Sequence, residues 1–142
     1  MSRISAARFM EVTSKTTPLA DVFGLEVEIL EEGRARVRLP FRSDFMRAGG
    51  TVNGPAMMML ADYSLYAVIM SVAESGEGAV TSNLNTTFLR RPKPAAVIAE
   101  ARLIRCGKRL AYGEVTMFSE GEEQEPVAHA TGTYALPPDK SR

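Results

Sequence analysis

Hydrophobic and polar positions along this chain change period more than once. Leu25, Val27 and Ile29 alternate with Glu26, Glu28 and Leu30. After a Glu31-Glu32-Gly33 turn, Ala35, Val37 and Leu39 sit between Arg34, Arg36, Arg38 and Pro40. Period-two alternation predicts two strands joined by a tight glycine turn. Residues 55–73 read differently: they contain no internal Gly or Pro and are mostly Ala, Met and Leu, all good helix formers. Four further strand-like runs, 79–90, 95–105, 109–119 and 126–136, follow a Ser75-Gly76-Glu77-Gly78 loop. The short connections between them favour an antiparallel meander. Ahead of Leu25, residues 4–12 and 17–23 read as short helices, with Gly24 closing the second. The expected class is α+β, an antiparallel sheet wrapped around one long central helix. It forms a single domain over 1–142, with 1–23 as a helical extension and 137–142 as a frayed tail.

The central helix carries the chemistry. Asn53 or Gly54 is the natural N-cap, and Pro55 suits the first turn, where its missing N–H would be unpaired anyway. Only Asp62, Ser64 and Ser71 are strongly polar, so the helix must be buried on most sides. A sheet wraps only part of a cylinder. The remaining face, with Asp62 nearby, needs cover from another subunit or a ligand, which predicts at least a homodimer. A carboxylate among apolar neighbours costs several kcal/mol unless it is paired or shifts its pKa, and such groups cluster at active sites. Asp62 lies too far into the helix to serve as an N-cap. The competing reading is a buried Asp satisfied by neighbouring hydroxyls or backbone groups.

Composition narrows the function classes. A length of 142 residues suits one unit. The 17 basic and 17 acidic side chains cancel, so no global field draws nucleic acid or anionic membrane. A membrane span is disfavoured because Asp62 would sit near its middle at a cost of about 2.5–3.5 kcal/mol. Residues 2–15 lack the continuous apolar core of a signal peptide, so the expected location is cytoplasmic. Cys106 is the only cysteine and His129 the only histidine, which excludes an intrachain disulfide and a multi-histidine or cysteine-based metal site within one chain. No metal or resident cofactor is expected.

Several segments in order, Gly49-Gly50-Thr51-Val52-Asn53-Gly54-Pro55 leading to Leu60-Ala61-Asp62, Thr81-Ser82-Asn83-Leu84-Asn85 with Phe88-Leu89-Arg90-Arg91-Pro92, Gly107-Lys108-Arg109, and Ala128-His129-Ala130-Thr131-Gly132, resemble a hotdog-fold thioesterase. The branch they resemble is the phenylacetate-degradation, PaaI-like one, related to the 4-hydroxybenzoyl-CoA thioesterases. The resemblance extends from about Leu25 to Leu136.

That resemblance implies hydrolysis of an acyl-CoA or similar thioester, with coenzyme A present only as part of the substrate. Asp62 falls at the position of the family's general base or nucleophile. Gly54 matches the glycine whose N–H meets the thioester carbonyl, and a free N–H at a helix N-terminus suits developing negative charge. Thr81 falls where a hydroxyl holds the attacking water, with Asn83 expected on the same strand face. In the family one subunit supplies the acid and the other the glycine, and dimers often pair further, so the resemblance implies a homodimer within a dimer of dimers. Met58 and Phe88, with Met57, Met59, Phe45 and Met70, are candidates for an adaptable acyl pocket, core filling being the alternative. Arg90, Arg91, Lys93, Lys108 and Arg109 are candidates for the phosphates of coenzyme A, against solvated charge at strand ends.

The departures are specific. The family's His-Gly-Gly entry is here Asn53-Gly54-Pro55, and Arg47 stands where relatives place Asn or Gln. Asn53 can donate through its amide but cannot carry a proton as histidine does, and Pro55 removes one N–H. A non-catalytic acyl-CoA or lipid-binding module is therefore the runner-up reading. A hydratase on the same fold needs a histidine at the site, and His129 is far away in sequence.

Overall fold

The computed structural model describes residues 1–47 and 50–138. Gly49 of the loop motif and residues 139–142 of the expected tail lie outside the described residues. Two N-terminal helices, α1 (Ala6–Thr16) and α2 (Leu19–Phe23), precede strands β1 (Glu26–Glu31) and β2 (Arg34–Leu39). The long helix α3 (Gly54–Met70) follows, then β3 (Val80–Phe88), β4 (Val97–Cys106), β5 (Leu110–Ser119) and β6 (Pro126–Ala135). Gly24 closes α2 with φ 71°, a conformation that glycine adopts without a Cβ penalty.

All six strands form one antiparallel sheet in the order β1-β2-β4-β5-β6-β3. The meander expectation holds for β4, β5 and β6 and fails for β3. Strand β2 takes the place beside β4, with Leu39 opposite Val97 and Arg34 opposite Arg102, and β3 occupies the far edge against β6. The connection over 89–96 makes this possible. Crossing three strand spacings requires about 14 Å at about 4.8 Å each. Eight extended residues reach about 26 Å.

Helix α3 lies across β2, β4 and β5 on the inner face of the sheet. Glycine on that face lets it come close: a Cβ on Gly132 would stand 2.5 Å from Leu65 Cδ1. The helix's buried hydroxyls are satisfied locally. Ser64 Oγ donates to the Leu60 carbonyl at 2.6 Å, and Ser71 Oγ donates to Val68 and accepts from Gly33 N–H. The opposite flank of α3 is covered by α1, whose fully buried Phe9 sets its ring 5.2 Å from that of Tyr63 and 5.6 Å from that of Tyr66. Thr13 Oγ1 and Tyr63 Oη share a hydrogen bond of 2.8 Å beside it. The N-terminal extension is thus part of the core. Among the described residues, no helix is long and apolar enough to cross a membrane.

Replacing a fully enclosed aromatic removes its burial and leaves a cavity. Phe9→Ala is expected to destabilise the fold by about 3–5 kcal/mol in denaturant unfolding, whereas Leu19→Ala, at a half-exposed position, is expected to stay within about 1 kcal/mol. An unchanged midpoint for Phe9→Ala would show that α1 is not integral to the core.

Candidate active site

Sheet and α1 leave one stripe of α3 uncovered. Pro55, Met58, Met59, Asp62 and Tyr66 recur at the three- and four-residue spacing of one helix face, and all five are at least partly exposed. Asp62 is therefore half-buried, not sealed inside the core as its apolar neighbours in sequence suggest. The apolar neighbours face the sheet and α1, and the carboxylate sits at the boundary.

Two elements fix that carboxylate. From β3, Thr81 Oγ1 donates to Asp62 Oδ1 at 2.8 Å. From β6, the Tyr134 hydroxyl bonds the same Oδ1 and also lies 2.6 Å from the Asp62 backbone carbonyl. Burial, and next the negative charge of Asp62, push the Tyr134 phenol well above its ordinary range. It stays protonated and acts as a donor. Its ring stacks on Tyr66, with centroids 6.3 Å apart and planes 12° apart. Among the described residues no donor reaches Asp62 Oδ2.

Thr81 owes its direction to a bulge. The β3–β6 register pairs Thr81 with Tyr134 but Asn83 with Thr133, so Ser82 is an extra residue. Leu84, Thr86 and Phe88 pair with Gly132, Ala130 and Ala128, which share the inner face with Tyr134. In a regular strand Thr81 would point the opposite way from Leu84, and the bulge turns it inward toward Asp62. The same bulge overturns the expectation for Asn83. It lies on the outer face, away from Thr81 and Asp62.

At the start of α3, Asn53 is the N-cap: its side chain accepts from Ala56 N–H at 2.8 Å. Its oxygen is committed to the helix, which leaves its amide N–H groups for other work. Among the described residues, none accepts from the Gly54 N–H. Phe88 packs against this glycine so closely that a Cβ there would stand 3.2 Å from its ring. Phe88 and Met58 are both exposed, and Met57 is core.

The cationic candidates do not form one cluster. Arg90, Arg91 and Lys93 line a cleft of about 580 Å³ that also includes Gly50 and Thr51, close to the N-terminal end of α3. Arg90 pairs with Glu125 at 2.7 Å. Lys108 and Arg109 belong to the β4–β5 turn, at the opposite end of the sheet, where Leu110 and Val80 both pair with Ala135. His129 lies on the outer face, 3.7 Å from Glu114 Oε2, and pairs with Thr87. It has no part in the Asp62 cluster. Cys106 is exposed at the end of β4, with burial raising its thiol pKa.

Tyr134 was missed by sequence reasoning. The signal was present: Ala128, Ala130, Gly132 and Tyr134 alternate along one strand face, and a tyrosine turned inward needs a partner for its hydroxyl. Long-range pairing of β6 with β3 decides which partner, and no local pattern encodes it.

Comparison with known proteins places the fold in a family. The thioesterase superfamily profile matches residues 49–125, from the loop before α3 to the β5–β6 turn. A "putative esterase" of Thermoplasma acidophilum is 33% identical over 111 residues, spanning 78% of this chain and 82% of that one. Among solved structures, a "putative thioesterase" from a Silicibacter species has a TM-score of 0.84 at 32% identity, over 97% of this chain and 95% of the other. A variant of phenylacetic acid degradation protein PaaI from Thermus thermophilus has a TM-score of 0.72 at 28% identity, over 84% of this chain and 99% of its own. With its six-stranded antiparallel sheet around one long helix, the chain has the hotdog fold and belongs to the thioesterase superfamily.

Proposed function

We propose that the protein hydrolyses an acyl-CoA thioester, of short- or medium-chain or aryl-acyl type, at a site completed by a second copy of the chain. The observation that carries this reading is Asp62: a carboxylate on the one uncovered stripe of α3, held through Oδ1 with Oδ2 left open. Oδ2 draws a proton from water as the water oxygen bonds to the carbonyl carbon, or it bonds to that carbon itself and forms an anhydride that water then hydrolyses. Either way the C–S bond breaks and the departing thiolate takes up a proton. The Gly54 N–H, at the positive end of the helix dipole, suits the charge that develops on the carbonyl oxygen.

One copy alone does not assemble these parts. Gly54 and Asp62 are eight residues apart on one helix, about 12 Å at 1.5 Å per residue, while a single carbonyl needs both within hydrogen-bonding or attack distance of about 3 Å. The free edge of β3 supplies the remedy. Val80 and Phe88, at its two ends, are exposed, and an unpaired edge is a template for strand addition. Antiparallel pairing about the midpoint of β3 would set the Gly54–Phe88 end of one copy beside the Asp62–Thr81 end of the other. The same operation would bring the Arg90–Arg91 end toward the partner's Lys108–Arg109 end, which suits a phosphate-bearing substrate. Coenzyme A then enters only as part of that substrate, with no resident cofactor. Met58 and Phe88, both exposed near the start of α3, suit the acyl group.

The binding-module alternative draws on Asn53 and Pro55. It is selected by tight acyl-CoA binding with no turnover.

Asp62→Asn is expected to lower kcat by about 100-fold to 10,000-fold in a free-thiol release assay against short-chain, medium-chain and arylacetyl-CoA thioesters. Full activity in that variant would remove Asp62 from the mechanism. The shared site has its own test by subunit mixing. Copies carrying Asp62→Asn and copies carrying Gly54→Pro, which removes the donor N–H at the first helical position, are each expected to be inactive, and refolding them together is expected to restore about a quarter of parental activity, because half of the dimers regain one intact site. No recovery from mixed dimers would place both groups in the same subunit's site.

A further inference from the structure

We propose that Tyr134 is a positioning residue for Asp62: together with Thr81 it occupies Oδ1, so that Oδ2 alone is presented to the reacting carbonyl. The inference rests on the thioesterase reading of this site and adds to it the residue that selects the working oxygen.

The argument begins with hydrogen-bond capacity. A carboxylate has two oxygens, and a flexible one presents either. Here Oδ1 receives Thr81 Oγ1 from β3 and the Tyr134 hydroxyl from β6, two donors on separate strands. The Tyr134 hydroxyl has one proton and two acceptors within reach, Oδ1 and the Asp62 carbonyl, and the charged oxygen is the stronger acceptor. Contact with both atoms ties the side chain to its own backbone, so rotation about the Asp62 χ angles breaks the contact. Oδ2 has no donor among the described residues, and Asp62 itself lies on the uncovered, partly exposed stripe.

Tyr134 is itself held. Its ring stacks on Tyr66, whose hydroxyl donates to the Glu77 carbonyl at 2.8 Å and whose ring packs on Phe9. A phenol locked at both ring and hydroxyl gives the rigid support that a precise site requires. The Ser82 bulge points the same way, because it turns Thr81 onto the face where Tyr134 and Asp62 meet.

Tyr134→Phe keeps the ring and removes the hydroxyl. Its kcat for thioester hydrolysis is expected to fall about 10-fold to 100-fold, with KM within about twofold of the parent and a thermal midpoint lowered by less than about 10 °C, as expected from the loss of one buried hydrogen bond. Thr81→Val is expected to lower kcat in the same way and Thr81→Ser to restore most of it. Parental kcat in Tyr134→Phe, or a loss confined to KM, overturns the proposal. A second readout needs no turnover. In proton NMR of the unaltered protein, a slowly exchanging hydroxyl resonance that disappears in Tyr134→Phe and moves in Asp62→Asn supports the pairing, and a resonance indifferent to Asp62→Asn overturns it. Should the parent protein hydrolyse no thioester, the reaction assignment fails while this spectrum still decides whether Tyr134 holds Asp62.

Discussion

Incomplete enclosure of helix α3 is the constraint from which the rest of the structure follows. Its sequence is apolar around nearly the whole circumference, yet a single curved sheet covers only one side. Helix α1 closes a second side through Phe9, and the stripe from Pro55 to Tyr66 remains. Asp62 lies on that stripe. A carboxylate at such a boundary keeps enough hydration to avoid the full cost of burial, and it sits where a second surface can still close over it. The partial cover, the edge strand β3 and the half-buried acid are three aspects of one geometry.

The fold was legible wherever local pattern decides structure. Alternation over 25–39 and the Gly- and Pro-free run after Pro55 place β1, β2 and α3 within a few residues of their ends, and the later strands follow equally closely. Strand order was not legible. Whether β4 pairs with β2 or with β3 depends on which contacts reward closing the longer loop, and Leu39 opposite Val97 has no local signature. The site divides the same way. Asp62, Asn53 and Gly54 stand out by their place in the helix. The partner of Tyr134 depends on the long-range pairing of β6 with β3, and the directions of Thr81 and Asn83 depend on one unpaired residue, Ser82, which reverses the side-chain alternation on β3.

The start of α3 shows how one residue's structural duty limits its chemical one. Asn53 caps the helix with its side-chain oxygen, a task worth about 1 kcal/mol. The residue is therefore fixed, with only its amide N–H groups facing outward. Pro55 has no N–H, and Ala56 N–H is spent on the cap. Of the backbone donors at the mouth of this helix, Gly54 N–H is thus the one left without an acceptor among the described residues. In the proposed reaction, a site with a single backbone donor gains more from the placement of its acid than a site with several.

On the proposed reading, that requirement gives the bracing of the acid its purpose. Asp62 is gripped by side chains from two strands that are adjacent in space and separated by two others in sequence. Behind one of them runs an aromatic series, Tyr134 on Tyr66 on Phe9, that reaches the N-terminal helix. Phe9 lies outside the stretch that matches the superfamily profile, yet its ring supports the ring that supports Tyr134. The helical extension therefore does more than cover apolar surface: it backs the wall against which the carboxylate is held.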